Sequence, residues 1–143
     1  MTGFNKVFLD TVIFIYLLEN NEYFGERIAS FIEYCTTNCI LLTTSVITHK
    51  EFCIKPYKLG KNELITAFEK LCTDLDINLQ DITLQVADTA ARLRSKYQGL
   101  KGMDALQISA AIHSECDKFM TNDRRLKQVN EIEVMLIKDW LHS

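Results

Sequence analysis

Asp10, Glu51, Asp104 and Asp123 are the residues whose type and setting suggest chemistry. Carboxylates are hard oxygen donors. Several of them on one site can hold one or two divalent cations, about 3.5 to 4 Å apart where there are two, which activate water and neutralise charge developing on a phosphodiester. Asp10 follows the apolar run Val7 to Leu9, and Asp123 follows Lys118-Phe119-Met120 through Thr121-Asn122. Glu51 lies roughly a turn and a half into a segment opened by Ser45, deep enough to lean back over that segment's start. Asp104 shares a helical stripe with Ile108 and Ala111, so an acid falls on an apolar face, where it needs a partner or a cation. A blander reading stands beside this one. Asp10, Asp104 and Asp123 all fall near expected helix starts, where Asp caps the backbone and complements the helix dipole, and Glu51 can be a solvated helix residue. Convergence of all four on one edge separates the two readings.

The elements that must position these acids read as alternating strands and helices. Val7 to Leu9 is a buried strand ending at Asp10-Thr11, and Val12 to Leu18 a helix. Tyr23 to Thr37 is amphipathic, with Phe24, Ile28, Phe31 and Ile32 at helical spacing. Ile40 to Thr43 is a second strand, after which Ser45 opens a helix expected to end near Pro56, the only proline. Lys61 to Thr73 reads as helix, Ile77 to Leu79 as strand, and Asp81 to Tyr97 as a helix capped by Asp81 and closed before Gly99. Gly102 to Glu115 is an alanine-rich helix, Lys118 to Met120 a strand, Asp123 the cap of a short helix to Val129, and Val134 to Leu136 a last strand before a turn around Trp140. The alternation predicts an α/β sandwich around a parallel sheet of about five strands, a single domain over residues 1–143. Ligands of such sheets lie beyond the carboxyl ends of the strands, where Asp10-Thr11, Thr44-Ser45 and Thr121-Asn122-Asp123 stand. Strands one and four are expected to be neighbours, bringing Asp10 and Asp123 together.

Composition limits the alternatives. A formal net charge of -3 argues against binding nucleic acid by bulk electrostatics, although an acidic site that recruits divalent cations can still accept a phosphate. Arg92, Arg94, Lys96 and Lys101 precede Asp104, and Arg124, Arg125 and Lys127 follow Asp123, so a local basic rim can grip phosphates. The five cysteines, Cys35, Cys39, Cys53, Cys72 and Cys116, form no paired C-x2-C and read as reduced thiols. His49 and His113 point about 180° to 200° away from Glu51 and Asp104 on their helices, and His142 lies at the chain end. No apolar run is long enough to span a bilayer and no signal peptide is evident, so the expected location is cytoplasmic, away from membranes. Gly-rich phosphate loops, nucleophile elbows and H-E-x-x-H are missing from the sequence. A haloacid-dehalogenase-like phosphatase needs D-x-D where Val12 stands, and a receiver domain needs an acidic pair before Asp10.

The segments Val7-Phe8-Leu9-Asp10-Thr11, Thr44-Ser45-Val46-Ile47-Thr48-His49-Lys50-Glu51, Met103-Asp104-Ala105-Leu106 and Phe119-Met120-Thr121-Asn122-Asp123 resemble, in order, the acid-bearing motifs of the PIN-domain family. Its bacterial members include VapC-type toxins. The resemblance covers nearly the whole chain. It implies a PIN-like α/β/α sandwich and a Mg2+- or Mn2+-dependent endoribonuclease that uses the four acids as metal ligands. Thr11, Ser45 and Asn122 would stand close by as second-layer or substrate-contacting groups, with a capping or turn role the alternative for Thr11 and Ser45. It also implies an RNA substrate, a homodimer and, in the toxin branch, a small antitoxin that holds the enzyme inactive. A silent PIN-fold module that binds RNA or protein, or a housekeeping RNA-processing nuclease, are the alternatives.

Overall fold

Strands buried on both faces need apolar side chains at successive positions rather than at alternate ones, as Val7-Phe8-Leu9 and Phe119-Met120 supply near the middle of the sheet. In the computed structural model, which describes residues 3–141, β1 (Lys6–Leu9) sits at the middle of a five-stranded sheet. It pairs in parallel with β2 (Leu41–Ser45) on one side and β4 (Lys118–Thr121) on the other. β3 (Asn78–Gln80) extends the sheet beyond β2, and β5 (Glu133–Leu136) beyond β4, giving the parallel order β3-β2-β1-β4-β5.

Alternation along β1 and β4 divides the core in two. Val7, Leu9 and Met120 pack on one face with α1 (Thr11–Leu18), α2 (Gly25–Thr37), α3 (Val46–Leu59) and α4 (Asn62–Asp74). Phe8 and Phe119 point to the other face, stacked at 5.2 Å, under α5 (Leu84–Lys96) and α6 (Gly102–His113). Helices on both faces of a parallel sheet form the expected α/β/α arrangement. Ala105, Ala110 and Ala111 of α6 are fully buried, and their small side chains let α5 pack closely against it. The five cysteines are free, three of them buried, and burial pushes the Cys35 thiol up to about 12.

Among the departures from the sequence expectations are two helix ends and one helix type. Helix α3 runs through Pro56 to Leu59. A proline costs one hydrogen bond to the preceding turn, but Pro56 is itself buried, and the stop is set by Gly60 in the left-handed region (φ 66°), with Lys61 N donating to Pro56 O at 2.8 Å. Helix α5 starts at Leu84 with Thr83, not Asp81, as its cap: Thr83 Oγ1 accepts from Val86 N at 3.2 Å. The turn after Asp123 is a 3-10 helix over Arg124–Gln128. Thr83→Ala is accordingly expected to lower stability by about 1 kcal/mol and Asp81→Ala to leave it nearly unchanged, as read from urea unfolding midpoints. Equal losses from the two substitutions would contradict this cap assignment.

Candidate functional site

The connections after β1 run outward to β2 and β3, then the chain crosses back to β4 on the far side of β1. The crevice between the carboxyl ends of β1 and β4 is therefore the switch point of the sheet, the place where such folds accommodate ligands. Asp10 leaves β1 in extended conformation, and its N–H donates to Met120 O at 3.0 Å, so it stands beside the end of β4. A cleft of about 530 Å³ opens there. All four acids line it, together with Thr11, Asn122 and Arg124, and Val12, Ile15 and Tyr16 of α1 form its apolar side.

Each acid arrives from a different segment. Asp10 precedes α1, Glu51 lies in α3, Asp104 in the first turn of α6, and Asp123 follows β4. Two of them do cap backbone: Asp10 Oδ1 accepts from Thr11 N at 2.8 Å, and Asp123 Oδ1 from Arg125 N at 3.0 Å. Capping and a place in the cleft are thus compatible. Asp104 makes no such bond, and Ile108 and Ala111 on its stripe are fully buried. Thr121 Oγ1 donates to Asp10 Oδ2 at 2.7 Å, and Thr11 Oγ1 donates to Glu51 Oε1 at 2.8 Å.

The acids feel one another. Burial pushes the Asp10 carboxyl up to about 6 against the hydrogen bonds from Thr121 and Thr11, and the charges of Asp104 and Glu51 add to the rise. Asp104 is also raised, first by burial and then by Asp123 and Glu51. Asp123 is held below the usual carboxylate range by Arg125, whose Nε and Nη2 donate to its two oxygens at 3.0 and 2.7 Å. Removing that guanidinium is expected to return the Asp123 carboxyl upward, measurable by carbon-detected NMR titration of Arg125→Gln against wild type. An unmoved Asp123 titration would show that the ion pair does not form in solution.

The basic rim is narrower than its sequence suggests. Arg124 lines the cleft, Arg125 grips Asp123, and Lys101 is near enough to draw the Asp104 and Asp123 carboxyls down. Arg92 pairs with Asp88, Arg94 donates to Leu100 O, and Lys96 pairs with Glu131, and none of the three lines the cleft. His49 contacts Cys53 and Phe68, and His113 bonds Thr89. His142 lies outside the described residues. Ser45 is fully buried and does not line the cleft; its hydroxyl caps α3 at Ile47 N and meets Gln107 Oε1. Asn122 lines the cleft, and its Oδ1 is buried without a partner.

Three polar side chains escaped sequence reasoning as individual residues: Thr121, Thr48 and Gln107. Gln107 carried a readable signal. It is a lone amide among apolar and small residues three positions after Asp104, and a buried amide demands partners.

The PIN domain model matches residues 7–132. The chain belongs to the PIN-domain family. No curated protein sequence matches it significantly. Solved structures do. The VapBC2 complex of Rickettsia felis bound to a promoter DNA fragment aligns with a TM-score of 0.75 at 18% identity, over 92% of this chain and 98% of that one. A toxin-antitoxin complex from Klebsiella pneumoniae gives a TM-score of 0.68 at 18% identity, over 92% and 97%. VapC20 of Mycobacterium tuberculosis, a toxin that cleaves the sarcin-ricin loop, gives 0.60 at 10% identity, over 79% and 86%. At these identities the likeness is one of fold. Among the described residues of this PIN-domain chain, no helix is long and apolar enough to cross a membrane.

Proposed function

We propose that this PIN-domain chain is a divalent-cation-dependent endoribonuclease and the toxin of a toxin–antitoxin pair, with Asp10, Glu51, Asp104 and Asp123 as cation ligands. The supporting observation is that four carboxylates from four separate segments line one cleft at the switch point of the sheet. The donor set fits a hard cation such as Mg2+ or Mn2+, since every donor is a carboxylate oxygen and no thiolate or imidazole lines the cleft. No three of these acids already converge tightly enough to enclose an ion among the described residues, and Arg125 pairs with both oxygens of Asp123 while leaving Oδ2 a second lone pair, so ligation calls for carboxylate rotation. When bound, the cation supplies an activated water and neutralises charge on the phosphate.

The chain's own residues do the rest. Thr11 N and Thr121 Oγ1 orient Asp10, and the Thr11 hydroxyl holds Glu51 over the cleft. Arg124 at the cleft wall presents a guanidinium suited to a substrate phosphate, and Lys101 adds positive charge beside Asp104. The toxin assignment is supported by the fold's likeness to proteins of toxin–antitoxin complexes. An acid-lined cleft also suits a cationic antitoxin side chain, which would neutralise the carboxylates and exclude metal.

The test is cleavage of total RNA by the purified protein with Mn2+ or Mg2+ and with excess EDTA. Cleavage confined to the cation-loaded samples is the expected result. Undiminished cleavage in EDTA would overturn the metal assignment, and no cleavage with either cation would overturn the nuclease.

A further inference from the structure

Gln107 is 1% exposed at the middle of α6 and does not line the cleft, yet its amide ties three other segments together. Its Nε2 donates to Thr48 Oγ1 at 2.8 Å and to Thr11 Oγ1 at 3.3 Å, and its Oε1 accepts from the Ser45 hydroxyl. The proton directions in this lattice follow from what each group can do. A carboxylate only accepts, so the single proton of Thr11 goes to Glu51 Oε1 at 2.8 Å, leaving the Thr11 oxygen free only to accept. A backbone carbonyl only accepts, so the Thr44 hydroxyl, 2.7 Å from both Leu9 O and Thr48 Oγ1, donates to Leu9. Thr48 must then donate to Thr44 and accept from Gln107. A flipped amide would place Oε1 against two hydroxyls whose protons are already committed. The amide of Gln107 is therefore set one way round.

We propose that Gln107 is a positioning residue: by donating to Thr11 it keeps the Thr11 proton on Glu51 and fixes that carboxylate at the cleft. Packing alone does not call for an amide here, because Ile108 and Ala111 on the same helix fill the core without one. An apolar residue at this position would leave Thr11 free to turn its proton toward Thr48, whose oxygen lies 3.3 Å away, and release Glu51. Buried groups that orient a metal ligand in this way change metal affinity by about ten- to hundredfold when removed. The inference rests on Glu51 being a cation ligand, as proposed above.

The deciding measurement is calorimetric titration of the full chain with Mn2+ for wild type, Gln107→Met, Thr11→Val and the double variant, alongside their melting temperatures. Gln107→Met is expected to weaken Mn2+ binding by about tenfold or more, and the double variant to bind no more weakly than Thr11→Val alone, since both substitutions break one path. A melting temperature lowered by Gln107→Met with unchanged Mn2+ affinity, or full additivity with Thr11→Val, overturns the inference and leaves the nuclease reading standing. Wild type that takes up no Mn2+ overturns both. Should Gln107→Met fail to fold, Ser45→Ala, which removes the hydroxyl anchoring the amide oxygen together with the α3 cap at Ile47 N, puts the same question: weaker Mn2+ binding that disappears in the Thr11→Val background supports the relay, and its persistence there, as loss of the cap alone would give, overturns it.

Discussion

Asp10→Asn is expected to reduce cation-dependent RNA cleavage by about a hundredfold or more while leaving the cation-free fold as stable as wild type or more so. The two halves of this result come from different properties of one carboxylate. Asp10 caps α1 through Thr11 N, and asparagine is an equal cap, so the start of α1 survives the change. The Thr121 hydroxyl, which donates to Asp10 Oδ2, can rotate to accept from the new amide instead. What disappears is a negative charge that burial, Asp104 and Glu51 all disfavour. Metal-free protein should lose nothing by its removal, whereas cation binding should lose a ligand at the crevice between β1 and β4. A residue that only capped the helix would give the reverse: normal cleavage, and a stability change below about 1 kcal/mol. Cleavage rates and thermal melts, each in EDTA and in Mn2+, distinguish the cases. A variant that melts below wild type in EDTA yet cleaves normally would remove Asp10 from the site.

The candidate site was legible in the sequence to the extent that backbone topology decides its place. A strand that ends at Asp10 and another that ends at Thr121-Asn122-Asp123 must be neighbours once the chain turns back across β1, and Asp10 N bonding to Met120 O shows that they are. Asp104 was readable because an acid on the stripe of Ile108 and Ala111 contradicts that stripe. Less legible was anything set by side-chain geometry. Spacing does not say that Arg125 folds back onto Asp123 while Arg94 turns to the carbonyl of Leu100. Nor does it say that Ser45, which caps α3 as expected, faces Gln107 rather than the cleft.

The boundary errors have a common physical origin. Asp81 and Thr83 are both competent caps, and the choice between them rests on where Val86 must be buried, a tertiary requirement. Pro56 reads as a stop because it removes one donor, but its ring is buried and the left-handed Gly60 provides a better stop one turn later. Local signals named the candidates in each case, and packing chose among them.

Acidification of the metal-free protein from about pH 8 toward pH 4 is expected to stabilise wild type relative to Asp10→Asn, the opposite of what an ordinary paired carboxylate does. The folded chain raises the Asp10 carboxyl from 3.8 to about 6. Between those values the folded state holds a proton that the unfolded state has released, so stability falls as pH rises through this window. The contribution is fully present below the unfolded value and lost above the folded one, and a rise of this size is worth at most about 3 kcal/mol. Asp104, also raised, acts in the same direction; Asp123 and Glu131, both lowered, act oppositely, their contributions present at neutral pH and lost in acid. Subtracting the Asp10→Asn curve removes what these other groups share and leaves the Asp10 component together with its coupling to Asp104 and Glu51. Urea unfolding in EDTA across this range should therefore show the variant more stable at neutral pH, with the difference closing as pH falls through about 6 toward 4. In saturating Mn2+ the neutral-pH difference should reverse, because a cation that binds the folded state through Asp10 stabilises wild type alone. Parallel wild-type and variant curves in EDTA would mean that Asp10 is not raised in the fold, and a variant stabilised by Mn2+ as strongly as wild type would mean that Asp10 does not hold the cation.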